Sequence, residues 1–159
     1  MRKVLAISAV AAAILVMPSV SAGSRAASST YQLKARMSTG QIVTAKNKRW
    51  KAPASVRNAH GSFKGTLTIS KTRRVLHWRI TYSGVGRPPQ VADIHYGKPG
   101  RFGPVLIRLC GPCTSGQSGT KIKKLSARGA RALKAGRAWI TVITNKYPNG
   151  VIRGQIKVS

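Results

Sequence analysis

The sequence predicts an all-β domain, a two-sheet sandwich of about seven to eight strands with one short helix. Three observations carry this. Apolar and polar residues alternate along much of the chain, the period of strands with one buried and one wet face. Turn-forming clusters separate the alternating stretches at Thr72-Arg73-Arg74, Gly84 to Pro89, Lys98-Pro99-Gly100 and Pro148-Asn149-Gly150. One stretch alone carries helix signals: Ser126 as a cap, an Ala-rich run from Ala127 to Ala135 holding Leu133, and Gly136 as terminator.

The strands follow in order. Tyr31 to Met37 reads as the first. In Gly61 to Lys71, Phe63, Leu67 and Ile69 share one face and Lys64, Thr66 and Thr68 the other. In Val75 to Tyr82, Leu76, Trp78, Ile80 and Tyr82 oppose His77 and Arg79. Val91 to Tyr96 is short. Pro104 to Leu109 and Ala138 to Ile143 are apolar on both faces and read as central strands. In Val151 to Val158, Ile152, Ile156 and Val158 oppose Arg153, Gln155 and Lys157. Between the first two strands, Gln41 to Ala59 has no clean period and reads as a long, basic surface connection. No internal repeat is found.

The domain is expected over residues 31–159. Residues 1–22 read as a secretory signal peptide: Arg2 and Lys3, an apolar run from Val4 to Val16, Pro18, then Val20-Ser21-Ala22. Residues 23–30 are small and polar and read as a flexible leader. The expected destination is therefore extracellular, with no membrane span in the mature protein. Two cysteines outside the cell are expected to pair.

Charge bounds the function. The 159 residues hold 29 Lys plus Arg against one acid, Asp93, for a formal charge of +28. Glycoside hydrolysis needs two carboxylates. Two-metal hydrolysis and calcium loops need clusters of them. One Asp supplies none of these. The excess of cations points instead to an anionic polymer or surface.

Several segments resemble the CHRD domain family, a module of chordin and of many secreted bacterial proteins. They are Ala92 to Val105, then Leu125 to Gly136 leading into Ala138 to Thr144, and Pro148-Asn-Gly-Val-Ile-Arg-Gly-Gln-Ile156. The resemblance spans roughly residues 31–158, and the Gly-Val-Ile-Arg-Gly-Gln-Ile ending is its most specific part. It implies an immunoglobulin-like sandwich, similar in layout to Cu,Zn superoxide dismutase, and no established catalytic activity. Family members often carry His-Ile-His where this chain has Asp93-Ile94-His95, Val-His-Thr where it has Val142-Ile143-Thr144, and an acid at the position of Val151.

Three constellations deserve weighing. Asp93 and His95 share a strand face, but zinc and copper sites want three or four ligands, and only His60 and His77 remain. The expectation is a structural Asp bonded to backbone or to an Arg such as Arg153, with no metal and no cofactor. Cys110-Gly-Pro-Cys113 is the thioredoxin tetrapeptide, which alone suggests a thiol–disulfide oxidoreductase. That chemistry needs the first Cys at a helix N-terminus, whereas a strand precedes this one and loop residues follow. A structural clip is expected.

The third constellation is basic. Lys46, Lys48, Arg49 and Lys51 surround Trp50; Lys71, Arg73 and Arg74 form a second cluster; Lys121, Lys123 and Lys124 form a third. They predict binding to teichoic acid, acidic glycan or anionic lipid heads, with Trp50 either stacking on a ligand or packed on the sandwich edge. Nucleic acid is the alternative partner, because electrostatics does not distinguish phosphate polymers. No base-reading motif is present. The expected protein is a non-catalytic, secreted binding module.

Overall fold

The computed structural model describes residues 28–122 and 125–159. Among the described residues, nine strands form one antiparallel sheet: β1 (Ser29–Ser38), β2 (His60–Ile69), β3 (Arg74–Ser83), β4 (Val91–Tyr96), β5 (Val105–Cys110), β6 (Ser118–Ile122), β7 (Ala138–Thr144), β8 (Tyr147–Gln155) and β9 (Lys157–Val158). Their order is β5-β4-β7-β8-β1-β2-β3-β6, with β9 also pairing β1. The two edge strands, β5 and β6, are consecutive in sequence. The chain between them thus crosses from one edge of the sheet to the other, and the sheet curls nearly into a barrel.

The curl encloses one core. Phe63, Leu67, Leu76 and Ile80 from β2 and β3 pack in the same buried cluster as Ile94, Ile140, Val142 and Ile152 from β4, β7 and β8. Full burial of side chains of this size stabilises by about 1.5–3 kcal/mol each. The alternation read in the sequence supplies these residues: on β3, Leu76, Trp78 and Ile80 are buried while His77 and Arg79 are exposed.

The helix forms as its signals require. α1 (Ala127–Lys134) is capped by Ser126, whose Oγ accepts from the Gly129 N–H at 3.0 Å. Gly136, at φ +64°, takes the left-handed conformation that ends the helix. Leu133 is fully buried beneath it. No helix among the described residues is long and apolar enough to cross a membrane.

Four expectations need correcting. β5 is an edge strand, not a central one, and Val105 is 52% exposed; apolar residues on both faces mark β7 correctly but do not separate it from a strand at the closing seam. Ser118 to Ile122, read in part as loop, is β6; its composition is polar, and Gly119 is required because a Cβ there would press on the Trp78 ring at 2.8 Å. Pro148 to Gly150 lies inside β8, and the hairpin turns one step earlier at Asn145-Lys146. Gly150, at φ +101°, fits the register shift near Thr144. Finally, Gln41 to Ala59 is not only surface: Ile42, Val43, Val56 and Ala59 are buried.

At the N-terminus, Ser29 and Thr30 already pair with Ile69 and Thr68, so β1 takes in the last two residues of the expected leader. The signal-peptide reading falls outside the described residues.

Candidate functional site

The alternation that sends Leu33, Ala35 and Met37 into the core sends Lys34 and Arg36 out. Sheet register then does what no linear pattern reveals. Lys34 lies opposite Lys157 on β9 and opposite Lys64 on β2; Lys64 in turn lies opposite Arg79 on β3. All four side chains are exposed. Adjacent strands are about 4.8 Å apart, so four cations form a ladder about 15 Å long. Like charges directly opposite each other destabilise a sheet. Beside the ladder runs a groove of about 630 Å³ whose lining includes Lys34, Arg36, Gln41, Lys64, Gln155 and Lys157.

No acidic side chain interleaves with these cations. Asp93, the single acid of the sequence, is only 2% exposed on β4. It accepts a 3.2 Å hydrogen bond and ion pair from Arg108 Nε on β5. Its partner is therefore the Arg across the seam strand, not Arg153 as the sequence suggested.

The clusters read from the sequence do not all meet. Lys71, Arg73 and Arg74 sit at the β2–β3 turn, and Ile122 pairs with Val75, so the backbone of Lys121 reaches the same end of β3. Lys71 and Arg73 are exposed and Arg74 half-buried. Lys123 and Lys124, and the side chain of Lys121, lie outside the described residues. Lys46, Lys48, Arg49 and Lys51 are exposed on the loop that follows the other end of β1. Ten-residue strands separate those ends by about 30 Å. Trp50 is half-buried, its ring edge-on to Tyr147 with centroids 5.3 Å apart. This contact is of the kind the packed alternative requires.

A further basic surface went unread in the sequence. Arg128, Arg131 and Lys134, three apart on α1, join Arg137 and Tyr96 around a depression of about 470 Å³. Their spacing of three along an Ala-rich helix was the available signal. Arg128 lies 5.1 Å over the Tyr96 ring and Lys134 4.6 Å over Tyr31. The Lys134 hydrogen bond, helped by Ser29, pulls the Tyr31 hydroxyl below its usual pKa.

His95 belongs to a buried layer. It stacks on Trp139 at 4.1 Å with planes 5° apart, and its Nδ1–H donates to the Gly103 carbonyl at 3.0 Å. Arg153 covers the same Trp139 ring at 3.8 Å. Burial pushes the His95 pKa down; the Gly103 carbonyl and Asp93 oppose this, and Arg153 adds to it. His60 and His77 are exposed on other strands. Among the described residues, no three His, Cys, Asp or Glu side chains gather as a metal site would need.

Cys110 and Cys113 form a disulfide, both sulfurs' residues buried, in the crossing between β5 and β6. Cys113 N–H donates to the Pro89 carbonyl, and the Tyr82 hydroxyl donates to the Cys113 carbonyl at 2.8 Å. The bond ends a strand and enters a turn. No helix N-terminus lies there to lower a thiol pKa.

Compared with known families, residues 33–156 match the model of the CHRD domain. No curated protein and no solved structure matches the chain.

Proposed function

We propose that this chain, which belongs to the CHRD domain family, is a non-catalytic module that holds anionic polymers of the cell surface or matrix along its cationic sheet face. Teichoic acids, acidic glycans and anionic lipid head groups present the required charge. The observation that carries the reading is the ladder Lys157–Lys34–Lys64–Arg79, four exposed cations in register with no acid between them. Such a row costs folding stability by self-repulsion, and a polymer of regularly spaced anions offsets that cost while releasing its own counterions. The basic depression on α1 adds further cations, and the loop around Arg49 adjoins the groove beside the ladder.

We read the curled sheet as the immunoglobulin-like sandwich that the family resemblance implies, with the shared core between its two halves as support. Export through a signal peptide at residues 1–22 completes the reading and places the protein beside such polymers.

Nucleic acid is the second reading, favoured by the same ladder. Single-strand binders add aromatic platforms for the bases; here the half-buried Trp50 ring packs edge-on against Tyr147. Binding of the protein to immobilised teichoic acid, duplex DNA and anionic liposomes, each across a salt series, tests the proposal. Salt-sensitive binding to teichoic acid or liposomes supports it. Binding to DNA alone transfers the function to the second reading, and binding to none refutes both.

A further inference from the structure

Among the described residues, Arg153 forms no ion pair. It is 2% exposed on β8, in lateral register with Thr141 of β7 and Ser38 of β1. Its Nη2 donates to the Arg101 carbonyl at 2.8 Å and its guanidinium carbon lies 3.8 Å from the Trp139 ring centroid. Its Nη1 is buried with no protein partner. The only carboxylate side chain in the sequence, Asp93, is engaged by Arg108. Burial draws the Arg153 pKa down to about 10, which still leaves the group charged at neutral pH. An uncompensated buried charge is strongly destabilising in a protein interior. A carbonyl and an aromatic face offset part of that cost, not a full charge.

Arg153 lines a cavity of about 180 Å³, whose other walls include Gln41, Arg49, Gly100 and Gln155. A water occupies about 30 Å³ in the liquid, so the space admits a small oxyanion with a few waters. The walls are built. Val43 bridges Arg49 across a tight loop whose tip, Asn47, takes φ 58°. The Asn47 Oδ1 accepts from the Phe102 N–H at 2.8 Å, tying this loop to the one that carries Gly100 and Arg101. Arg49, exposed, stands at the cavity as a second cation.

We propose that this cavity is a specific site for one small oxyanion, a phosphate or carboxylate group, drawn by the buried Arg153 charge in its wall and held by the Arg49 guanidinium. Guanidinium forks are the natural partners of such oxygens. The cavity shares Gln41, Pro99 and Gln155 with the groove beside the lysine ladder. The site rests on the polymer reading only in one respect: that the oxyanion hangs from a polymer lying in the groove.

The test is calorimetric titration of the whole protein with inorganic phosphate and with acetate in about 1 M sodium chloride, where a Debye length of about 3 Å silences the exposed ladder. The expected result is saturable binding of one anion per chain by at least one probe, with a matching rise in melting temperature. Arg49→Ala, an exposed change that spares the fold, weakens it by about tenfold, the loss of one charged hydrogen bond. Arg153→Met keeps the side-chain volume, melts no lower than wild type without added oxyanion, and loses the oxyanion-dependent rise. Phosphate binding without acetate binding assigns the site to phosphoryl groups, and the reverse to carboxylates. No saturable binding by either probe overturns the site while leaving the ladder standing. Binding unchanged in Arg49→Ala, or an intact rise in Arg153→Met, overturns it as well. Loss of polymer binding with the oxyanion site intact defeats the polymer reading alone.

Discussion

Lys34 lies directly across from Lys64 in the pairing of β1 with β2, and both are exposed. Lys64 also faces Arg79 on its other side. A cation thus stands between two cations where an acid would be the stabilising choice. Lys64→Glu is expected to stabilise the fold by about 0.2–1 kcal/mol through new cross-strand pairs. Polymer affinity should fall at the same time. Thermal melts at low salt check the first effect, which shrinks as salt rises. A lower melting temperature would mean the ladder carries no strain of charge.

The Cys110–Cys113 bond clips the tight turn at the end of β5. Its loop is small, so replacing both cysteines by serine is expected to cost about 2 kcal/mol in the chain-entropy model. The oxidised protein should not reduce insulin. Turnover in that assay, lost in Cys110→Ser, would restore the oxidoreductase reading.

Trp50 separates packing from stacking. Edge-on to Tyr147 and half-buried, it contributes to stability. Trp50→Ala is expected to lower stability by about 2 kcal/mol. Polymer affinity should hardly move. The opposite pattern, unchanged melting with a large loss of affinity, assigns Trp50 to the ligand.

His95 gives stability a pH dependence. Its folded pKa lies below the unfolded value, so at mildly acidic pH the unfolded chain binds the extra proton. Stability from this residue is therefore constant above about pH 7 and falls as pH drops through the unfolded pKa near 6.5 toward the folded value. His95→Phe, which can keep the stack on Trp139, should flatten this part of the profile. Denaturant titrations at several pH values read it directly. A wild type whose stability rises on acidification through this range contradicts the assignment.

Local signals in the sequence carried much of this fold. Ser126 and Gly136 bounded α1 because capping is decided within a few residues. The period of two picked out Phe63, Leu67, Leu76 and Ile80 because each strand has one wet face. What depends on pairing was not legible. The ladder joins Lys157, Lys34, Lys64 and Arg79 from four strands, and no window of sequence holds them together. The same holds for Asp93, whose partner Arg108 is fixed by the β4–β5 register. Clusters adjacent in sequence, such as Lys71 to Arg74, were visible, yet register placed Lys46 to Lys51 at the far end of β1. Arg153 read as a polar-face residue, because the loops that bury it come from distant segments.

The most direct test of the central claim is the slope of log affinity against log salt for duplex DNA and for teichoic acid. It is compared between the wild type and a variant with Lys34, Lys64, Arg79 and Lys157 all changed to Gln. Each phosphate neutralised on duplex DNA adds just under one to the slope, so the variant should bind more weakly and lose about three to four units of slope. The teichoic acid slope should fall in the same direction. A variant with an undiminished slope and affinity on both polymers would contradict the account and leave the ladder as mere solvated surface.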